Sequence, residues 1–347
     1  MFNKQLYNTP YHEVDLSQYK FLVTGGAGFI GSNLTEYLLR YNAKKVRVLD
    51  NLSNGYYNNI KDFFSLPNFE FIEGDIRDFA TCQRAVKDMD FISHQAALGS
   101  VPRSISDPIT SNEVNVSGFL NMLVAAKDSP SLKQMVYAAS SSTYGDSPTL
   151  PKVEGNEGNP LSPYAVTKLV NELYAEVFSR VYRLHTIGLR YFNIFGPKQN
   201  PNNPYAAVIP IFCKHFIEGI TPNINGDGIT SRDFTFVENA VQANIRTMLY
   251  GLENQSTSCT PSVTAVEGPA HQVFNVACGD QVSLNEMVSM LQEISGKDIQ
   301  ASYGPERAGD VKHSKASIEK LENFCGYKPK VRFRQGLEVV YKWYKEN

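Results

Sequence analysis

Short apolar runs alternate with longer stretches of helical spacing through the first half of the chain. The runs are Phe21–Thr24, Val46–Asp50, Phe69–Ile72, Phe91–Gln95, Gln134–Ala139 and Thr186–Tyr191. Each is bounded by polar or small residues and predicts a buried strand. Between them, apolar positions three and four apart predict amphipathic helices near Ile30–Tyr41, Ser111–Asp128 and Pro163–Tyr182. Strand–helix alternation of this kind predicts an α/β fold: a doubly wound parallel sheet with helices on both faces.

The pattern loosens beyond Phe195. Proline and asparagine cluster at Pro197–Pro204, which predicts a loop. Helices are predicted near Val208–Glu218, Val237–Tyr250, Leu284–Ile294 and Gln335–Lys345, and Glu253–Pro269 reads as a polar surface excursion. The expected organisation is an N-terminal arm (1–19), a dinucleotide-binding domain (20–195) and a smaller mixed α/β lobe (196–347). Some segments of that lobe are expected to return to the first domain.

Composition narrows the function classes. The formal net charge is −2 and no basic stripe is present, which argues against a nucleic-acid or membrane-surface partner. The N-terminus is polar and lacks an apolar signal core, and no apolar stretch is long enough to span a bilayer, so a cytoplasmic location is expected. The five cysteines show no CxxC spacing and read as incidental thiols, and no metal site is expected.

The string TGGAGFIG, Thr24 to Gly31, carries the first chemistry. Gly25, Gly28 and Gly31 follow a strand and open a helix. Glycines there let backbone N–H groups and the positive helix end approach a pyrophosphate. Asp50 ends the second strand about 20 residues further on, where a carboxylate can accept both ribose hydroxyls of adenosine. It would repel a 2′-phosphate, so NAD is favoured over NADP. Asp75 and Ile76, at the end of the next strand, could bracket the adenine; Asp75 could equally be a helix N-cap.

The string SPYAVTK places Tyr164 and Lys168 four apart, on one face of a helix. An ammonium near a phenol should lower the phenol's pKa and make it a usable general base. The serines Ser140, Ser141 and Ser142 end the preceding strand. In a doubly wound sheet that is where strand ends and helix starts meet the ligand crevice, and a serine there can bond a substrate oxygen.

With these motifs, and with HQAALGSVPRS, ASSSTYGD, LRYFNIFGP, INGDGITSRDF and ERAGDVKHS, the sequence resembles the extended short-chain dehydrogenase/reductases. Among them it is most similar to nucleotide-sugar 4-epimerases, in particular the bacterial UDP-N-acetylglucosamine 4-epimerases. The resemblance implies that Tyr164 is the base, Lys168 its ribose-binding partner and Ser140 the catalytic hydroxyl. It implies further cofactor contacts at Phe29, Ile30, Asn51, Ser53, Asn54, Gly55, Gln95, Ala96, Ala97, Asn115 and Phe192. It places the UDP-sugar against Ser100, Ser141, Ser142, Asn193, Ala207, Val208 and Asn225. Arg232 and Arg307 are implied to clamp the diphosphate, and Asp310 to lie near the uridine ribose.

Two departures from the UDP-galactose epimerase pattern bear on the sugar. Gly99 stands where those enzymes carry a lysine, and Ser314 where glucose-specific members carry a tyrosine. Both leave space beside C2, so an N-acetyl group is expected to fit. The resemblance also implies a homodimer formed through the helices near Ser111–Asp128 and Pro163–Tyr182. Ser141 and Ser142 replace the acid pair of the 4,6-dehydratases, which favours simple C4 epimerisation of UDP-GlcNAc, with its uronic acid as a further substrate. The alternatives are another NAD-dependent nucleotide-sugar oxidoreductase and a non-catalytic nucleotide-binding scaffold.

Overall fold

Six strands of the first half, β1 (Lys20–Thr24), β2 (Lys45–Asp50), β3 (Phe69–Glu73), β4 (Phe91–His94), β5 (Gln134–Ser140) and β6 (Thr186–Tyr191), pair in the order 3-2-1-4-5-6. A seventh strand, His271–Val276, joins beside β6, and every pair in the sheet is parallel. This is the doubly wound arrangement that the sequence predicts. It comes from a computed structural model that describes residues 2–3, 5–201, 207–253, 271–306 and 312–347.

The two faces of the sheet bury separate cores. In β1, Phe21 and Val23 face one core and Leu22 the other, as a period of two requires. On the Leu22 side lie α2 (Phe79–Val86), α5 (Phe119–Lys127) and α6 (Pro163–Tyr182), through Ala85, Met122, Ala175 and Phe178. On the Phe21 side lies α1 (Phe29–Arg40), with α7 (Val208–Glu218), α8 (Val237–Glu253), α9 (Leu284–Ser295) and α11 (Phe333–Glu346) in the same apolar cluster. The later lobe therefore shares a core with the sheet, and α8 packs directly against β5 and β6.

The predicted helix at Ser111–Asp128 is a composite. Short helices α3 (Val101–Ser106) and α4 (Pro108–Asn112) lead into a π-wound segment, Glu113–Gly118, and then into α5. Gly118 lies so close to Ile76 that an added Cβ would come within 2.7 Å of its side chain. The helices α2, α3 and α10 (Glu319–Cys325) and the strand His271–Val276 are not foreseen by the periodicity. The three helices are too short for a periodic signal, and the strand is recognisable only from its partner.

The N-terminal arm is no loose extension: Leu6, Tyr7, Tyr11 and Leu16 are buried in the main core. Tyr11 stacks on Tyr37 of α1 at 5.4 Å between ring centres. Among the described residues no helix is long and apolar enough to cross a membrane. Cys82, Cys213, Cys278 and Cys325 are free thiols, whereas Cys259 lies outside the described residues. The excursion predicted at Glu253–Pro269 also lies outside them beyond Glu253.

Candidate active site

A cleft of about 560 Å³ opens at the C-terminal ends of the strands, where ligands of doubly wound sheets bind. Its floor is the glycine turn. Gly25 has φ +66°, and a Cβ there would lie 2.7 Å from the Ala96 nitrogen. A Cβ on Gly31 would lie 2.2 Å from the Gly25 carbonyl oxygen, so only glycine lets α1 start this close to the turn. Gly28 caps α1 without any side-chain bond, which leaves the helix's first N–H groups facing the cleft.

Asp50 ends β2 at the cleft wall. It accepts from Ala27 N–H at 2.9 Å and Leu52 N–H at 2.8 Å. Burial raises its carboxyl pKa, and these backbone bonds oppose the rise. Asn51, Ser53, Asn54, Gly55, Asp75, Ile76, Gln95, Ala96 and Ala97 line the cleft with Phe29 and Ile30. The N-cap alternative for Asp75 is corrected: Asp78 caps α2, accepting from the Ala80 and Thr81 N–H groups. Asp75 instead accepts from Asn51 at 2.9 Å, and its bonds to Arg77 hold its carboxyl at about 2.

The catalytic candidates meet on the opposite wall. Ser162 caps α6 by accepting from Ala165 N–H, and Pro163 occupies the first turn, which fixes where Tyr164 sits. Tyr164 N–H also donates to Ser104 Oγ at 3.0 Å. Lys168 Nζ donates to the Ala138 carbonyl of β5 at 2.7 Å and lies 5.9 Å from the centre of the Tyr164 ring. Burial pushes the lysine down to about 8, and Glu172 one turn on opposes that fall.

In the folded chain the net shift of the phenol runs opposite to the lowering expected from Lys168. Burial raises the Tyr164 pKa, and the group acting against the rise is a hydrogen bond with Ser140. Ser140 itself accepts from Ser142 Oγ–H at 2.9 Å and from Ser142 N–H at 3.2 Å, which leaves its own proton free to point elsewhere.

Gly99, Ser100, Ser141, Asn193 and Ala207 also line the cleft. Asn193, Ile194 and Ala207 border a second cavity of about 300 Å³ as well, so the two spaces adjoin. Val208, Asn225 and Arg232 line that second cavity.

Other expected contacts fall elsewhere. Asn115 is buried behind the wall, where it accepts from Leu98 N–H at 2.8 Å and donates to Thr167 at 3.2 Å. Phe192 packs with Tyr144, Ala277 and Ala316 in a small satellite core. Ser142 is not among the lining residues and orients Ser140 instead. Ser314 lines neither cavity and donates its N–H to the Ser231 carbonyl at 3.1 Å. Arg307 and Asp310 lie outside the described residues.

Sequence reasoning missed Tyr56, Arg103, Tyr191, Gln199 and Asn200, all of which line the cleft. Tyr191 belongs to a network in which its hydroxyl donates to Gln95 and accepts from Asn244 at 2.8 Å. Arg103 and Tyr191 fall inside quoted motifs without standing out in them, and nothing local marks Tyr56, Gln199 or Asn200; only their convergence from distant segments does. The Gln199 Oε1 atom is buried without a partner within the chain, although the residue borders the cleft. The side-chain-free glycine turn, with α1 opening on it, and the carboxylate of Asp50 at the cleft wall together fit a bound dinucleotide. Among the described residues no cluster of His, Cys, Asp or Glu could hold a metal ion.

The family model described as GDP-mannose 4,6 dehydratase matches residues 22–340. The chain belongs to that family, within the extended short-chain dehydrogenase/reductases. A UDP-glucose 4-epimerase of Mycolicibacterium smegmatis is 32% identical, with 93% of this chain and 98% of that one covered. A UDP-N-acetylglucosamine 4-epimerase from Methanobrevibacter ruminantium M1, solved with UDP-N-acetylmuramic acid, is 36% identical; the match covers 94% of this chain and 98% of that one with a TM-score of 0.84. A UDP-glucuronic acid 4-epimerase from Bacillus cereus, solved with UDP-glucuronic acid and NAD, is 29% identical over 94% of this chain and 99% of that one, with a TM-score of 0.81. Members of this family similar to the chain thus include 4-epimerases named for three different sugars.

Proposed function

We propose that the protein is an NAD-dependent UDP-hexose 4-epimerase that interconverts UDP-N-acetylglucosamine and UDP-N-acetylgalactosamine, with the corresponding uronic acid as a further substrate. The observation that carries this reading is the distribution of acid groups. Tyr164, Ser140 and Lys168 stand together, while Asp50 and Asp75, the carboxylates among the described lining residues, sit at the ends of β2 and β3. Ser141 and Ser142 follow Ser140 where a dehydratase would need an acid and a base. A site with a base for the 4-hydroxyl and no acid pair beside it supports oxidation and re-reduction at C4 without loss of water.

NAD, when bound over the glycine turn, supplies the two-electron acceptor and donor for the sugar's C4. Gly25, Gly28, Gly31 and Asp50 would hold its pyrophosphate and adenosine ribose. Tyr164 takes the 4-hydroxyl proton, directly or through Ser140, and later returns it. Lys168 places positive charge beside the phenolate and favours it. Ser142 holds Ser140 so that its proton points at the phenol or the sugar oxygen. Arg232, with Arg307, clamps the diphosphate. The sugar, oxidised at C4, turns about its diphosphate linkage between the two half-reactions.

The preference for an N-acetyl sugar rests on Gly99, where an added Cβ would meet nothing within 4 Å. The deciding experiment offers UDP-GlcNAc, UDP-Glc and UDP-GlcNAcA in turn and reads the product sugars by NMR. Turnover of the N-acetyl sugars supports the reading; turnover of UDP-Glc alone overturns it.

The protein also works as a homodimer in a reducing cytoplasm under this reading. Val166, Leu173, Val177 and Val181 form an exposed apolar stripe on α6, flanked by Ile105 and Ile109. A stripe of this kind suits a helix-to-helix interface with a second copy. Sedimentation at micromolar concentration checks it, and a monomer would refute it.

A further inference from the structure

The arm precedes the segment that the family model matches, yet it is bonded to the helix that opens at the glycine turn. The Tyr7 hydroxyl donates to Asn33 Oδ1 at 2.9 Å, and Asn3 N–H donates to Glu36 Oε1 at 2.5 Å. Asn33 and Glu36 lie on α1 and are almost wholly buried. Each has a second partner on the other side. Asn33 Nδ2 donates to the Pro197 carbonyl at 3.1 Å, and Lys198 Nζ donates to Glu36 Oε2 at 2.8 Å. The same two side chains therefore join the arm to the Pro197–Lys198 turn.

That turn needs holding. Lys198 has φ +73°, a left-handed conformation that a residue with a Cβ adopts only when its surroundings impose it. The next two residues, Gln199 and Asn200, line the cleft, and Asn200 donates to the Tyr56 hydroxyl across it at 2.5 Å. Glu36 would be a buried carboxylate with fewer partners if the arm were displaced, and Asn33 a buried amide oxygen with none given by Tyr7.

We infer that the N-terminal arm is a positioning element for the cofactor cleft: it fixes Asn33 and Glu36, and through them the turn that sets Gln199 and Asn200 in the cleft wall. The inference rests on the proposed NAD chemistry. It makes Tyr7, Asn33, Glu36 and Lys198 positioning residues, none of which touches the reacting atoms.

The test uses Tyr7→Phe, which deletes one hydroxyl and keeps the ring packing, and Lys198→Met, which deletes the ion pair. NAD affinity of the full chain is measured by equilibrium titration, alongside the melting temperature. Each variant is expected to bind NAD about fivefold more weakly, the loss of one buried hydrogen bond expressed in binding. The double variant is expected to lose less than the product of the two, because both act through the same turn. A lowered melting temperature with unchanged NAD affinity in both variants would reduce the arm to a structural cover and overturn the inference. Wild-type protein that binds no NAD would remove the functional reading first, and this inference with it.

Discussion

Lys168 and Tyr164 are one helical turn apart, yet the lysine's bond goes to the Ala138 carbonyl of the neighbouring strand rather than to the phenol. The ammonium sits 5.9 Å from the ring centre, close enough to act through space and tied down so that it cannot move to solvent. Ser140 is the group that acts on the phenol, lowering its pKa against the rise that burial causes. Base, charge and hydroxyl are thus three separate attachments to β5 and α6.

Removing the phenolic oxygen should therefore stop proton transfer without disturbing the clamp on the diphosphate. Tyr164→Phe is expected to lower kcat by about 10²–10⁴. UDP affinity should stay within about twofold. Steady-state kinetics and UDP titration check the pair of outcomes, and near-normal kcat would refute the base assignment.

Lys168 should set an alkaline limit. Burial holds it at about 8 in the folded protein, below its ordinary 10.5. Its charge, and with it the stabilisation of the phenolate, is lost as pH rises through about 8, so kcat should fall there. Stability moves the other way. The unfolded chain binds the proton more tightly, so stability rises between about 8 and 10.5 on account of this group. Glu172 opposes the shift, so Glu172→Gln should move the limit to lower pH; a profile that stays in place would show that Lys168 does not set it.

Gly31→Ala tests the glycine turn. The added Cβ would fall 2.2 Å from the Gly25 carbonyl, which is backbone and cannot swing aside. Either α1 or the turn must shift, at a cost of about 1–3 kcal/mol. Loss of NAD binding with a lowered melting temperature is expected. Gly155→Ala is a poor control because of its φ of +95°, whereas a substitution at Gly99, where space is open, should leave the fold untouched.

Asp233 should make stability pH-dependent on the acid side. It accepts N–H groups from Cys278 at 2.9 Å, Gly279 at 3.1 Å and Ala316 at 3.2 Å, and so ties two other segments to the stretch that carries Arg232. Burial nevertheless lifts its carboxyl to about 6 from an ordinary 3.8. The folded state then holds the proton more tightly. Its contribution is fully present below about 3.8 and is lost as pH rises through about 6. Urea denaturation from pH 4 to 7 should show this slope in the wild type and not in Asp233→Asn. Parallel curves would assign the slope to other groups.

The strands were legible in the sequence because each is a local apolar run, and α6 was legible because Tyr164 and Lys168 sit within its periodic face. Short helices such as Val101–Ser106 were not, since too few residues repeat. Nor was the sheet's seventh strand, whose pairing with β6 joins segments far apart in the chain. Asn115 and Phe192 illustrate the limit at the site. Their motifs place them near the cleft, but side-chain direction and packing turn them into wall and core.

By itself the sequence determined the doubly wound class, the glycine turn with Asp50 and the one-turn spacing of base and lysine, because each depends on neighbours a few residues away. The tertiary structure decided how strongly those groups are charged, which residues from 56, 103, 191 and 199–200 close the cleft, and what the arm does. Those outcomes depend on burial and on partners far along the chain, as with Tyr7 and Glu238, 231 residues apart, or Asp233 and Ala316, 83 apart. Desolvation and long-range hydrogen bonding act through space, and no window along the chain contains them.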